Sequence, residues 1–263
     1  MTAIPPDNPF SNLLAREGTY DASGFYHDYP FSNDTVVSPL SIAECMSDDQ
    51  PGFVVSLGSI GAALSLSSLW LERAVVNVDI NPMVIRMSRH VMRIIEDYRY
   101  GDIIDILDDS LTGIYSAHEQ HGRLGLHYEN MRREFSEEVQ NYSDLHWTHS
   151  RNLGRVKDFI TKGGLVPVAA DITSPVFSQG VSKIAANTSL TCSLLNLTNA
   201  HMYWKSPDQI QAALSSLPLS DRTNITFSAY GYSGAHFQLN VVAGINSYLE
   251  AIRDEIGSEL QYL

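Results

Sequence analysis

Two periods of apolar residues divide this chain. Short uncharged runs rich in branched or bulky side chains, Phe53 to Leu57, Ala74 to Val78, Leu165 to Ala170 and Leu190 to Leu195, suit strands buried on both faces. The last three are followed at once by Asp79, Asp171 and Asn196. Between these runs the apolar residues recur at helical spacing. Ala62 opens an Ala/Leu/Ser stretch with Leu64, Leu66, Leu69 and Leu71 available to pack. Asn81-Pro82 then opens a long helix carried by Met83, Ile85, Met87, Val91, Ile94 and Ile95. Further helices are predicted over about 151–162, where Gly163-Gly164 stops the pattern, and over about 175–186, 207–217 and 243–260. Two more strands are predicted near 225–230 and 237–242. Strands alternating with helices predict an α/β protein with a mostly parallel sheet and helices on both faces, the last two strands adding an antiparallel hairpin.

Two regions stand apart from this alternation. Residues 1–50 read as an N-terminal cap and helix: prolines at 5, 6 and 9, an aromatic polar loop from Tyr20 to Asp34, then a helix with Ser38 as N-cap and Pro39 in first position. A loop that aromatic is expected to cover something. Residues 51–263 form the sheet domain, and within it about 100–150 are rich in charge, His and Tyr with no strand signal, which predicts a helical insertion. His118 and His121 lie one turn apart there, with His127, His146 and His149 nearby. The spacing is not HExxH and no Cys accompanies it, so these histidines are expected in solvent on a charged helix and no metal site is assigned.

The densest chemistry lies between Pro51 and Pro82. Gly58-Ser59-Ile60-Gly61 breaks the first strand where it meets a helix, and Asp79 ends the next strand 18 residues past Gly61. Glycines let backbone approach a ligand, and an acid at that strand tip can accept both hydroxyls of a ribose, so the unit is Rossmann-like. The spacing is neither GxGxxG nor DxGxGxG: Ile60 and Ala62 hold later glycine positions and Ser56 the leading acid position. Phe53 to Leu71 carries no charge for 19 residues, the length of a membrane span. Its glycines, its serines and the lack of flanking Lys/Arg clusters argue for the strand–helix reading instead.

Charge and cysteine content narrow the partners. With 17 basic against 30 acidic residues the net charge is −13, which disfavours phosphate-rich polymers and anionic lipid, so a small-molecule substrate, no nucleic acid and no membrane are expected, with a homodimer left open. Two cysteines make no disulfide framework and the N-terminus lacks a signal-peptide pattern, which together predict the cytoplasm.

The run Val54 to Asp79, the strand ending Ala170-Asp171 and the strand ending Asn196 resemble class I S-adenosylmethionine (SAM)-dependent methyltransferases in strand order and acid placement, over most of residues 50–245. Phe31-Ser-Asn-Asp-Thr35, Val78-Asp79-Ile80, Arg155 through Asp171 and Leu195-Asn-Leu-Thr-Asn199 are similar to an uncharacterised bacterial family of methyltransferase-like proteins. The resemblance implies SAM as cofactor. It places Gly58, Ser59 and Gly61 against the methionine part, Asp79 and Ile80 at the ribose, and Asp171 and Ile172 at the adenine. Asn196, with Thr198 and Asn199, would face the sulfonium and the acceptor. His201 and Tyr203 would orient the acceptor or take its proton. Tyr26, Tyr29 and Phe31 would cover the sulfonium through cation–π attraction. The implied activity is methyl transfer to a small molecule. Aminobutyryl transfer or SAM cyclisation releasing methylthioadenosine is the alternative chemistry, and a non-catalytic nucleoside-binding or interaction protein the alternative class.

Overall fold

The computed structural model describes residues 9–10, 13, 52–58, 60–69, 74–80, 82–118, 133, 135–137, 139–141, 144–198, 207–230 and 237–259. The helix predicted from Ser38 and the aromatic loop from Tyr20 lie outside these residues. Six strands form one sheet: β1 (Gly52–Leu57), β2 (Ala74–Asp79), β3 (Leu165–Ala169), β4 (Thr191–Thr198), β5 (Asn224–Tyr230) and β6 (Phe237–Ala243), in the order β3-β2-β1-β4-β5-β6. The first five are parallel, and β6 pairs antiparallel with β5, as the hairpin expectation required. This is the doubly wound order of Rossmann-like α/β proteins.

Alternation along the buried strands sends every second side chain to each face. Val54, Val75, Leu165 and Leu194 meet one layer of helices, namely α1 (Ile60–Leu69), α2 (Pro82–Asp97), α3 (Ile103–His118) and α4 (Ser150–Thr161). Phe53, Val55, Val76, Val166 and Leu195 meet the other, formed by α5 (Pro175–Thr188), α6 (Pro207–Ser215) and α7 (Gly244–Glu259). Helices therefore cover both faces, and the near-absence of charge in the strands follows from that. Phe10, from the N-terminal segment, packs on Phe53 with ring centroids 4.7 Å apart, so residues ahead of the sheet contribute to its core.

Local signals set the helix ends. Ser174 caps α5 by accepting from the Val176 N–H at 3.3 Å, Pro175 takes the first position, and Ser189 closes the helix in a left-handed conformation with φ 55°. Helix α1 is buried on nearly all sides, serines included. Two of its three hydroxyls are satisfied within the helix: Ser67 Oγ donates to the Ala63 carbonyl and Ser68 Oγ to the Ser65 carbonyl, both at 2.7 Å. Strand β3 forms one edge of the sheet and carries Pro167 at its centre, opposite Asn77. Among the described residues no helix is long and apolar enough to cross a membrane.

The insertion departs from expectation at one point. Its histidines were expected in solvent, yet His146 is 1% exposed beside the fully buried Trp147. Its ring meets Phe135 edge-on at 5.3 Å, and Phe135, Trp147, Ile103 and Leu107 join the α1/α2/α4 core. Tertiary packing against the sheet's helices, which local polarity does not report, removes His146 and Trp147 from water.

Candidate functional site

Strand register decides which residues share the C-terminal edge of the sheet, where open α/β proteins bind ligands. Ser56 lies beside Asn77, so Gly58 comes level with Asp79, while Asp79 lies beside Ala169 and Asp171 follows two residues later. The turn at Gly58, the carboxylate of Asp79 and that of Asp171 thus end three adjacent strands, an edge roughly 10 Å wide at the usual strand spacing.

Gly58 is set by three constraints. Its φ of 88° lies in the region that favours glycine, its N–H donates to the Val78 carbonyl at 2.9 Å, and its carbonyl accepts from Asn77 Nδ2 at 2.8 Å. Gly58→Ala is expected to cost about 1–2 kcal/mol, the penalty of a Cβ in a left-handed conformation, read by urea unfolding. A variant as stable as the wild type would show that the turn has another conformation open to it. Gly61 is the second residue of α1 and half-buried.

Asp79 is the half-buried last residue of β2, and Ile80, also half-buried, follows it. Asp171 organises its own turn: Oδ1 accepts from the Thr173 N–H at 2.8 Å and from Thr173 Oγ1 at 2.7 Å. Ile172 is 4% exposed and belongs to the core with Val168 and Phe177. Ser59, His201, Tyr203, Tyr26, Tyr29 and Phe31 lie outside the described residues.

Asn196 sits differently from its sequence-based placement at a strand tip. Strand β4 runs on to Thr198, leaving Asn196 inside the sheet at 5% exposure. Its Nδ2 donates to Ser56 Oγ at 3.1 Å and its Oδ1 accepts from Thr226 Oγ1 at 2.9 Å. With Asn77 this makes a row of four buried polar side chains, Asn77, Ser56, Asn196 and Thr226, across β2, β1, β4 and β5 at one level of register. The sequence reading passed over Asn77 and Thr226, and took Ser56 only as the residue in the leading acid position. The signal was present as polar residues inside strands otherwise buried on both faces, each of which needs a partner.

Two buried titratable groups are shifted by desolvation. Burial pushes the Cys192 thiol up to about 12, which makes it an inert core group, its Sγ donating to the Leu194 carbonyl at 3.3 Å. Burial lowers His146 to about 4. Its Nδ1 accepts from the Thr148 N–H at 3.2 Å and faces Thr148 Oγ1 at 2.7 Å, which places the proton of the neutral ring on Nε2. No group of three or more potential metal ligands occurs among the described residues. A cavity of about 460 Å³ lined by Ser68, Leu69, Asp144, His149, Arg151 and Arg155 opens at the far end of α1 from Gly58, away from the strand tips.

The fold and this edge define a Rossmann-like α/β protein whose candidate ligand groups stand on β1, β2 and β3. No protein-family model and no curated protein matches the chain. Among solved structures, the rRNA methyltransferase aviRa from Streptomyces viridochromogenes aligns over 92% of this chain and 95% of its own at 15% identity, with a TM-score of 0.41. That protein's named substrate corrects one expectation: a small-molecule substrate with nucleic acid excluded, argued from net charge, does not stand. Net charge sums over the whole surface and says little about any one face.

Proposed function

We propose that this chain binds SAM at the C-terminal edge of β1–β3 and transfers its methyl group. The observation that carries the reading is the register that brings the Gly58 turn, Asp79 and Asp171 to the ends of adjacent strands. The donor set fits the group. Asp79 offers a half-buried carboxylate for two ribose hydroxyls, and the glycine turn offers backbone without side chain toward the methionine part. Asp171 keeps its local bonds on Oδ1, leaving Oδ2 for an adenine amine, with the half-buried Ile80 supplying apolar surface nearby in sequence and Ile172 anchoring the Asp171 turn in the core. When bound, SAM supplies an electrophilic methyl carbon on a sulfonium.

The chain's own contribution is positioning. Holding an acceptor in line with that carbon replaces a bimolecular encounter with an intramolecular one, which accounts for much of the barrier reduction in such transfers. His201 and Tyr203, on the connection after β4, are the side chains proposed to orient the acceptor and take its proton, and Tyr26 and Tyr29 are proposed as the cover. Asn196, whose amide is engaged inside the sheet, supports this edge from behind.

Titration calorimetry with SAM is the direct test. Wild-type protein binds, and Asp79→Ala binds at least about tenfold more weakly, the loss expected from removing hydrogen bonds to a charged acceptor. Unchanged affinity would remove Asp79 from the site, and absence of wild-type binding would sink the reading. Incubation with cell extract then reports the reaction. S-adenosylhomocysteine marks methyl transfer, methylthioadenosine marks aminobutyryl–sulfur cleavage, and nuclease treatment of the extract reads whether the acceptor is a nucleic acid.

A further inference from the structure

We infer that Asn77 is a positioning residue that holds the β1–α1 turn in its ligand-ready conformation, an inference that takes the proposed cofactor edge as the site it serves. Asn77 is fully buried in the middle of β2, between Val76 and Val78. A primary amide in such a place is unfavourable unless its hydrogen bonds are made, so an apolar residue would suit β2 better if only packing mattered. Its bonds are made, and they run toward the edge of the sheet. Nδ2 donates to the Gly58 carbonyl at 2.8 Å and lies 3.4 Å from the Ser56 carbonyl, while Oδ1 accepts from Ser88 Oγ on α2 at 3.2 Å. Two carbonyl oxygens can only accept, which fixes the amide orientation without ambiguity.

The Gly58 carbonyl is the informative partner. Strand β1 ends at Leu57, and it is the Asn77 amide that reaches two residues past its own register partner, Ser56, to engage the oxygen beyond the strand. Together with the N–H bonded to Val78 and the positive φ, this contact defines donor, dihedral and acceptor of the one residue from which the turn departs. Glycine loses more conformational freedom on being fixed than any other residue. A turn that is held before ligand arrives spares the ligand that ordering cost. Ser88 in turn holds Asn77 from the helix that follows Asp79, with its hydroxyl shared between Asn77 Oδ1 and the Val84 carbonyl at 2.9 Å. The glycine turn and the Asp79 connection are thus tied through a single side chain.

The test uses three variants of the full chain. Asn77→Asp keeps the shape and removes both donors, placing a carboxylate against two carbonyl oxygens. Ser88→Ala leaves Asn77 in place and removes its orienting donor. Thr226→Val breaks the same buried row three strands from Asn77. Hydrogen exchange at amides 58–63 without ligand, melting temperature and SAM affinity are measured for each. Asn77→Asp should exchange faster at the turn and bind SAM at least about tenfold more weakly, as loss of a buried hydrogen bond to a charged or preorganised site does. Ser88→Ala should show a smaller change of the same kind. Thr226→Val should lower the melting temperature while leaving turn exchange unchanged and SAM affinity within about twofold. Affinity that follows melting temperature alike in all three, or turn exchange equal to wild type in both Asn77→Asp and Ser88→Ala, would overturn the inference. Exchange is read without SAM, so a wild type that fails to bind SAM would reject the cofactor reading while the exchange data still decide whether Asn77 holds the turn. Should Asn77→Asp fail to fold, Ser88→Ala carries both readouts.

Discussion

Asn196→Ala is expected to lower the free energy of unfolding by about 2–4 kcal/mol, since buried hydroxyls left without partners cost about 1–3 kcal/mol each. The substitution strips a partner from Ser56 Oγ and another from Thr226 Oγ1, both on side chains with no exposure. Chemical denaturation followed by circular dichroism measures the loss. A change below about 1 kcal/mol would mean that the two hydroxyls find other partners or water, and that the row is less cooperative than its register suggests. The result bears on how activity data are read. A fall in turnover for Asn196→Ala has to be expressed per folded molecule before it says anything about contact with reacting atoms.

The second large effect is a loss of stability in mild acid traced to His146. Its folded-state pKa of about 4 lies below the ordinary 6.5, because the ring is desolvated among Phe135 and Trp147. The unfolded chain therefore binds the proton more readily than the folded one. Stability is fully present above about pH 6.5 and declines as pH falls toward 4. Between pH 7 and pH 5 the decline from this group comes to about 2 kcal/mol, approaching about 3 kcal/mol at lower pH. Unfolding curves at pH 7, 6 and 5 for wild type and His146→Gln separate it from other titrations. The wild-type slope should exceed that of the variant, and parallel slopes would show that the ring is charged or hydrated in the folded protein.

Much of the architecture was readable from residues because strands buried on both faces must be apolar throughout. The runs at Phe53, Ala74, Leu165 and Leu190 began within a residue of the observed strands, and the helix predicted from about 175 starts where α5 does. What escaped was set by distance in sequence. Whether Asn196 ended its strand depended on whether Thr198, past the irregularity at Leu197, found a partner in β5, more than twenty residues on. The burial of His146 depended on Phe135 and on helices α1 and α4, while its neighbours His149 and Asp144 are polar and give the segment a solvent-facing look. Asn77 was legible in principle, as an amide in the run Ala74 to Asp79, but attention to strand tips passes over polar residues set below them.

Pro167 gives the sheet a boundary. The Ala170 N–H donates to Asp79 and the Val75 N–H donates to the Gly164 carbonyl, so by the alternation of a parallel ladder the even-numbered residues of β3 donate inward and the odd-numbered ones outward. Proline at 167 therefore costs the ladder nothing, while the outer rim loses its central donor. A strand from another molecule approaching that rim would find a gap where its carbonyl needs an N–H, and the ring of Pro167 in its way. Growth of the sheet by strand addition is thereby disfavoured beside β3, the strand that carries Asp171 at its end.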